Sequence, residues 1–222
     1  MVAFLDSGPV DAAKTLLLAH GAGAGMETRF LVEMTALLAA RGVRVLRFEF
    51  AYMAERRNGG KRRPPPRADT LTGEYRAAVS KALEHLAADG GTGSPARLAI
   101  GGKSMGGRVA SMVADELYAG GEVGALVCLG YPFHPPAKPE QMRTAHLEAL
   151  TCPALIVQGD RDPFGFGDEV EGYNLSSAIR LAWIGDGDHD FGPRGASGYT
   201  RKGNLAHAAD AVADFLNAQD FA

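Results

Sequence analysis

Residues 98–107 read LAIGGKSMGG. The run Leu98–Gly101 is apolar and typical of a buried strand, and the residues after the glycines have the apolar spacing of a helix. Between them lies Gly102-x-Ser104-x-Gly106, which puts a serine on a sharp turn from strand to helix. Such a turn strains the serine backbone and lifts its hydroxyl off the end of the sheet, while glycine is needed where neighbouring backbone passes close. The stretch predicts an exposed serine nucleophile, the simpler alternative being a tight turn with a solvated serine.

Two nucleotide-binding motifs are partly matched by the glycines. Gly102-Lys103-Ser104 is similar to the end of a phosphate-binding loop, but position 97, where that motif needs glycine, is Arg97. Gly21, Gly23 and Gly25 follow another apolar run, although the third glycine of a dinucleotide fingerprint would fall on Met26. Glu49 is a loose match for the ribose-binding acid. The phosphate-binding loop is excluded, and dinucleotide binding is kept as the weaker alternative.

The remainder of the chain alternates apolar runs with helical spacing. We predict six strands, at Thr15–Ala19, Val43–Phe50, Leu98–Gly101, Ala125–Leu129, Ala154–Gln158 and Ile179–Ile184. Helical patterns lie between them, and a final helix contains Leu205 to Leu216, with Asn204 as its predicted N-cap. Strands that are apolar throughout and separated by helices indicate a parallel sheet covered on both faces. We therefore predict one α/β domain over residues 1–222, with a doubly wound, mostly parallel sheet flanked by helices.

Composition and charge narrow the class of protein. With 46% hydrophobic and 22% charged residues the chain has enough apolar material for a core, and a net charge of −3 does not favour nucleic-acid or membrane-surface binding. Residues before Lys14 lack the basic start of a signal peptide. Cys128 and Cys152 lie in apolar runs and do not form a zinc pattern or a disulfide framework. We expect a cytoplasmic protein that uses no cofactor or metal.

A serine nucleophile needs a general base, and the base needs an acid that orients it. Asp160 and Asp162 follow the predicted strand Ala154–Gln158, and His189 follows the last predicted strand. Both positions lie at the sheet edge where Ser104 emerges. The order serine, acid, histidine along the chain is also that of enzymes whose serine nucleophile lies on a turn from strand to helix. We predict Asp162 as the acid and His189 as the base, with Asp160 fixing its turn.

The other histidines and acids receive different predictions. His85 and His207 fall on predicted helix surfaces, and His134 and His146 lie in a proline-containing insertion with no assigned role. The remaining acids around His189 are expected to raise the local negative potential rather than bind metal: Asp186, Asp188 and Asp190.

The negative oxygen of an acyl-transfer intermediate needs two donors. We predict the backbone N–H groups of Met105, which follows the serine, and of Ala22, in the loop His20-Gly21-Ala22-Gly23. The His20 side chain is predicted to be structural and to bond its own loop.

Two segments depart from the alternating pattern. Glu55–Arg67 holds six cations against one acid and is predicted to be a long loop; it could attract an anionic substrate or be an ordinary solvated loop. Tyr131–Thr151 is rich in proline and too short for a large cap domain. Five aromatic residues are candidates for the pocket lining: Phe48, Tyr52, Tyr131, Phe133 and Phe164.

These motifs together resemble the α/β-hydrolase superfamily, in particular its small dienelactone-hydrolase-like members. The matching pieces are the His20 loop, the Gly102–Gly107 turn, Gly159–Asp162 and Gly187–His189, in the expected order. The N-terminal antiparallel strands of larger members are expected to be absent or vestigial. The resemblance implies a serine hydrolase acting on a small acyl substrate, with Ser104 in place of the cysteine of dienelactone hydrolases. The alternative is a weakly active or inactive hydrolase-fold binding protein.

Overall fold

A seven-stranded sheet forms the centre of the structure, a computed structural model that describes residues 3–61, 63–89 and 98–219. The strands run in the order β1-β3-β2-β4-β5-β6-β7 across the sheet. Strand β1 pairs antiparallel to β3, and all the other pairs are parallel. Their bounds are β1 Leu5–Ser7, β2 Lys14–Ala19, β3 Val43–Phe48, β4 Leu98–Lys103, β5 Ala125–Leu129, β6 Ala154–Gly159 and β7 Ile179–Ile184.

Helices cover both faces of this sheet. Alternate residues of β2 face opposite sides of the sheet and contribute to two separate cores. Leu16 and Leu18 pack on the side of α1 and α6, whereas Leu17 and Ala19 pack on the side of α3 and α4. The predicted doubly wound, mostly parallel α/β fold is therefore confirmed. The bounds are α1 Arg29–Ala39, α2 Ala51–Arg57, α3 Thr72–Ala88, α4 Met105–Ala119, α5 Gly167–Val170 and α6 Arg201–Asn217, with 3-10 turns at Ala68–Leu71 and Ala145–Leu147.

The N-terminal strand β1 is a partial departure from the expectation. The N-terminal antiparallel strands were expected to be absent or vestigial. The described residues contain one such strand, β1, which is three residues long. Asp6 of β1 forms an ion pair with Arg44, whose guanidinium is almost fully buried and also lies 2.5 Å from an oxygen of Asp89. This pairing ties β1 and the end of α3 to strand β3.

The prediction that Glu55–Arg67 is entirely loop is wrong. Its first residues belong to α2, which is anchored by the buried side chain of Met53 and by the Ala51 N–H group, 2.7 Å from Oε2 of Glu74. Helix α2 is seven residues long and buries the side chain of Met53, so its sequence shows no repeating apolar face that would predict a helix. Arg62 lies outside the described residues.

Two predicted boundaries also change. Strand β3 ends at Phe48, because the N–H group of Phe50 donates to Nε2 of His20 and Phe50 is the N-cap of α2. Helix α6 begins earlier than predicted, with Thr200 as N-cap accepting from Gly203 at 3.0 Å. Asn204 is instead buried within the helix, where its amide donates to the carbonyls of Gly185 and Phe191.

Candidate active site

Ser104 lies on the turn between β4 and α4 in a backbone conformation that side chains rarely adopt, with φ 52° and ψ −117°. The turn is tight, since a Cβ atom on Gly102 would lie 2.3 Å from the carbonyl carbon of Gly106. A Cβ atom on Gly106 would lie 2.5 Å from the carbonyl oxygen of His20. The two glycines of the motif are therefore required by close backbone approach, as the sequence predicts.

Two clefts meet at Ser104, whose side chain is partly exposed. Ser104, Ala22 and Phe164 line both of them. The first, of about 610 Å³, is lined on its other side by His189 and by residues of α1. The second, of about 540 Å³, lies over the start of α4 and the loop before α3. A substrate bound at Ser104 therefore has room on two sides of the hydroxyl.

Asp162 and His189 are in direct contact at the edge of the sheet. Nδ1 of His189 lies 2.7 Å from Oδ2 of Asp162. The carboxylate is fully buried and accepts two further hydrogen bonds, from Nε2 of Gln158 at 3.0 Å and from the N–H group of Phe164 at 2.9 Å. Three hydrogen bonds to one buried carboxylate fix its orientation.

Packing also fixes the ring of His189. Its centroid lies 4.4 Å from that of Phe164, and a Cβ atom on Gly130 would lie 3.3 Å from its Nδ1. Ser104 and His189 line the same cleft, but among the described residues no hydrogen bond joins the serine hydroxyl to the imidazole. Such contacts are often long in a site that holds no substrate and shorten when substrate binds.

The His20 loop lies against the serine. A Cβ atom on Gly21 would be 3.7 Å from the Cβ of Ser104. In the described part of the chain, the N–H groups of Ala22 and Met105 donate to no protein acceptor, so both are available for an oxyanion. His20 itself is fully buried, with Nδ1 2.6 Å from the carbonyl oxygen of Gly21 and Nε2 accepting from Phe50. Burial lowers its pKa, which keeps the ring neutral in the structural role predicted for it.

The acids near His189 have separate roles. Asp160 fixes the turn as predicted, because Oδ2 accepts from the N–H group of Asp186 at 2.9 Å. Asp186 does not simply raise the local negative potential, because it is buried and forms ion pairs with Arg161 and Arg194. Asp188 shapes the histidine loop by accepting from the N–H groups at 190 and 192.

Most of the predicted pocket aromatics belong to the core instead. Phe48, Tyr131 and Phe133 are fully buried in the core on the side of α3 and α4. Phe48 is the last residue of β3, whereas Tyr131 and Phe133 lie in the segment that follows β5. Tyr52 donates to the carbonyl oxygen of Ala22 at 3.0 Å and so supports the loop. Of the five candidates, Phe164 lines both clefts.

Of the other histidines, His207 is exposed, as predicted. His85 is not merely solvated, since Nε2 lies 3.1 Å from Asp6. His134 is buried near Glu169, and His146 lies 2.8 Å from the hydroxyl of Ser111. All three lie in polar contacts that a sequence pattern does not reveal.

Lys103, Gln158 and Arg108 are site residues that the sequence reasoning missed. The amine of Lys103 is buried beside the first cleft, 3.3 Å from Oδ1 of Asp190 and 5.3 Å from the ring centroid of Phe30. Their spacing in the sequence is the one feature that could have indicated Gln158 and Arg108. Gln158 is the last residue of the predicted strand before Asp162, and Arg108 lies one helical turn after Ser104.

The contacts of Glu49 argue against the weaker alternative, dinucleotide binding, in which this residue would bind the ribose. Oε1 of Glu49 accepts from the N–H group of Met26, and Oε2 pairs with Arg57 at 2.9 Å. A Cβ atom on Gly25 would lie 2.3 Å from Glu49, so this glycine leaves room for the carboxylate rather than for a phosphate. Glu49 therefore supports the loop from within and does not face a ligand.

The comparison with protein families agrees with this architecture. The family model described as "Alpha/beta hydrolase domain" matches residues 12–217. The chain belongs to the α/β-hydrolase family. Its seven-stranded, mostly parallel sheet fits this family. Ser104, Asp162 and His189 lie at one edge of that sheet.

Solved structures of other α/β hydrolases have the same fold. A dienelactone hydrolase from Anabaena variabilis is 20% identical with a TM-score of 0.69, covering 98% of this chain and 92% of that chain. Est1E from Butyrivibrio proteoclasticus, solved with ferulic acid, is 16% identical with a TM-score of 0.67, covering 98% and 95%. A serine hydrolase without lid from Xanthomonas campestris is 18% identical with a TM-score of 0.56, covering 95% and 94%. At these identities the likeness shows the fold alone.

Two further observations concern the surroundings of the α/β-hydrolase core. The described part of Tyr131–Thr151 contains a single 3-10 turn and no cap domain. Among the described helices, none combines the length and the apolar character that a membrane span requires.

Proposed function

We propose that this protein is a serine hydrolase that cleaves carboxylic esters, thioesters or related acyl bonds through an acyl-enzyme intermediate. Ser104 is the nucleophile, His189 the general base and acid, and Asp162 the residue that orients His189. The observation that carries the proposal is the strained backbone of Ser104 at the meeting point of two clefts, one of which is shared with an Asp162-bonded His189.

The proposed reaction has two halves. Oγ of Ser104 attacks the acyl carbon and transfers its proton to Nε2 of His189; the bond to the leaving oxygen or sulfur breaks, and His189 protonates that atom. Water then attacks the acyl-serine, His189 accepts its proton, and the returning serine oxygen recovers a proton from His189. The N–H groups of Met105 and Ala22 hold the negative oxygen in each half.

The partners of Asp162 support the role given to His189. A hydrogen bond donated by Nδ1 of His189 to the carboxylate selects the tautomer in which Nε2 is the base. Gln158 and the Phe164 N–H group hold the carboxylate in place without competing for His189.

We place the protein in a cytoplasmic setting and expect a small-molecule acyl substrate.

A fluorophosphonate probe tests the nucleophile. Wild-type protein is expected to be labelled and to hydrolyse 4-nitrophenyl acetate, whereas Ser104→Ala is expected to lose labelling and to lose about 10⁴- to 10⁶-fold in kcat. Ser80→Ala is the matched control, because its hydroxyl lies on the exposed face of α3 and bonds only its own helix.

Equal labelling of Ser104→Ala and wild-type protein would assign the reaction to another residue. A folded wild-type protein that neither reacts with the probe nor turns over the ester would reject the proposal in favour of a binding role. The exposure of Ser104 to both clefts argues against that role, because no described segment covers the hydroxyl.

A further inference from the structure

Three arginines line the second cleft: Arg67, Arg108 and Arg143. Arg108 lies on the first turn of α4, and Arg143 lies in the segment that joins β5 to β6. Apolar groups form much of the remaining wall: Pro65, Pro66, Ala68, Met105 and Pro132. Arg67 is exposed and paired with Asp69, which leaves Arg108 and Arg143 as the two cations without an acidic partner in the described lining of this cleft, which opens onto the proposed nucleophile.

The backbone around each arginine is held in place. The N–H group of Arg108 donates to the carbonyl oxygen of Ser104 at 3.0 Å, which closes the first turn of α4. The N–H group of Arg143 donates to Phe133 at 2.8 Å, and its carbonyl oxygen accepts from the hydroxyl of Tyr131 at 2.9 Å. The two side chains thus start from rigid positions, which favours a preorganised site over a flexible surface pair.

Neither guanidinium has an acidic partner among the described residues. Nε of Arg108 is buried and makes no hydrogen bond, and no carboxylate of the described residues forms an ion pair with Arg143. Burial lowers the pKa of Arg143, and the nearby charge of Arg108 lowers it further. Two like charges held together in a partly buried cleft cost free energy unless an anion compensates them.

The other ionisable groups at this cleft do not supply that anion. Asp69 lines the cleft but is engaged by Arg67 through two hydrogen bonds, at 3.0 and 3.2 Å. His146 bonds the hydroxyl of Ser111, and its pKa is lowered by burial and by the charge of Arg108. Asp115, another acid near His146, accepts from the backbone N–H groups of Thr151 and Cys152.

Resting on the proposed function, we propose that Arg108 and Arg143 form an anion subsite that binds a free carboxylate carried by the ester substrate. The guanidinium is the side chain best suited to this role, because its planar donors match the two oxygens of a carboxylate. The subsite lies on the side of Ser104 away from His189, so the carboxylate belongs to the part of the substrate that extends over α4. The basic segment Glu55–Arg67 is not needed for this recognition: Arg57 and Arg67 pair with acids, and Arg56 donates to the carbonyl oxygen of Gly23.

Matched ester pairs test the subsite. In the first pair, mono-4-nitrophenyl glutarate carries a carboxylate on its acyl group, and 4-nitrophenyl valerate is its neutral counterpart. In the second pair, 4-acetoxybenzoate carries the carboxylate on its leaving group, and its methyl ester is the neutral counterpart. We expect wild-type kcat/KM to favour the anionic member of at least one pair by tenfold or more. Arg108→Met and Arg143→Met are each expected to lower kcat/KM for that member about 10- to 100-fold and for the neutral ester less than threefold.

Arg67→Met is the matched control, because it removes the same charge from the same cleft but from a residue that already has an acidic partner. It is expected to change the anionic preference less than threefold. A loss equal to that of Arg108→Met would mean that general positive potential, and not direct contact, selects the substrate, and would overturn the subsite. Thermal unfolding checks the fold of each variant, and the arginine-to-methionine variants are expected to be at least as stable as wild-type protein.

The subsite and the proposed reaction can fail separately. If Ser104 cleaves neutral esters but no anionic ester is preferred, or if the arginine variants slow both members equally, the subsite is overturned and the hydrolase proposal stands. If neither ester is turned over, the hydrolase proposal fails, and binding of glutarate by calorimetry decides the subsite. Binding to wild-type protein that is lost in the Arg108→Met, Arg143→Met double variant would support it, and no binding would overturn it.

Discussion

His189 Nδ1 and Asp162 Oδ2 lie 2.7 Å apart, although the two residues come from loops after different strands. The loops are interlocked, since a Cβ atom on Gly159 would lie 2.3 Å from the carbonyl oxygen of Gly187. The N–H group of Arg161 also donates to that oxygen, at 3.0 Å. Asp162 and His189 are thus held together by backbone packing as well as by their own hydrogen bond.

Replacing Asp162 with Asn is expected to lower kcat about 10⁴-fold, the size of effect seen when the acid of such a triad becomes an amide. The asparagine oxygen must accept from the Phe164 N–H group, which turns its NH₂ group toward His189 and Gln158. His189 would then have to accept on Nδ1 and carry its proton on Nε2, where a base is needed. Steady-state hydrolysis of 4-nitrophenyl acetate measures the loss.

Asp160→Asn is the control for this change. Its carboxylate accepts one backbone hydrogen bond from Asp186, which an asparagine oxygen can also accept. We expect kcat within about threefold of wild type. An Asp162→Asn protein that keeps more than a tenth of wild-type kcat would show that Asp162 does not set the tautomer of His189.

Replacing Ser104 with Gly is expected to give a more stable protein than replacing it with Ala. Both changes remove the hydroxyl, but only glycine adopts φ 52° and ψ −117° without strain, which costs about 1 to 3 kcal/mol for other residues. Glycine loses up to about 1 kcal/mol through the greater freedom of the unfolded chain. A net advantage of about 1 kcal/mol in urea unfolding is expected, and an alanine variant of equal or greater stability would contradict the strained turn.

Lys103→Met is expected to stabilise the protein in a pH-dependent way. Burial lowers the pKa of Lys103 from its ordinary value of 10.5, and the carboxylates of Asp190, Asp162 and Asp188 only partly offset this. Between the folded and unfolded pKa values the folded state binds fewer protons, so the stability of wild-type protein rises with pH. The advantage of the methionine variant is therefore largest at low pH and disappears as pH rises through 10.5.

Urea unfolding between pH 6 and pH 10 measures this difference, and Lys81→Met is the control. Lys81 is exposed and paired with Glu84, so its replacement is expected to shift stability by a small amount that does not depend on pH in this range. A constant difference for Lys103→Met as well would show that its ammonium is not destabilised by burial.

Gly106→Ala is expected to destabilise the fold by about 1 to 3 kcal/mol or more, because the new Cβ atom would lie 2.5 Å from the carbonyl oxygen of His20. Gly73→Ala, in α3, meets no atom within 4 Å and is expected to stabilise by up to about 1 kcal/mol through helix propensity. Chemical denaturation of both variants compares them. A neutral Gly106→Ala would mean that the turn and the His20 loop are not in close contact.

Much of the α/β fold is predictable because its signals are local. Apolar runs predict six of the seven strands with bounds within two residues of those observed. The Gly102-x-Ser104-x-Gly106 spacing places the serine turn with the close backbone contacts that the motif requires. Position after the strand also predicts that Asp162, and not Asp160, contacts His189, as observed. The helix α2 and the N-cap Thr200 were missed because single contacts, at Met53 and Gly203, decide them.

The sequence by itself determined the fold class, the family and the residue types that a serine hydrolase needs, because periodicity, glycine spacing and chain order are properties of neighbouring residues. Only the tertiary structure decided which aromatic residue faces the clefts, that Asp186 is a buried ion-pair partner, and that Arg108 and Arg143 share a cleft in which neither has an acidic partner among the described residues. Burial and charge pairing depend on which distant segments pack together. The turn that holds the serine is therefore predictable from local sequence, whereas the groups that line its clefts depend on contacts made after folding.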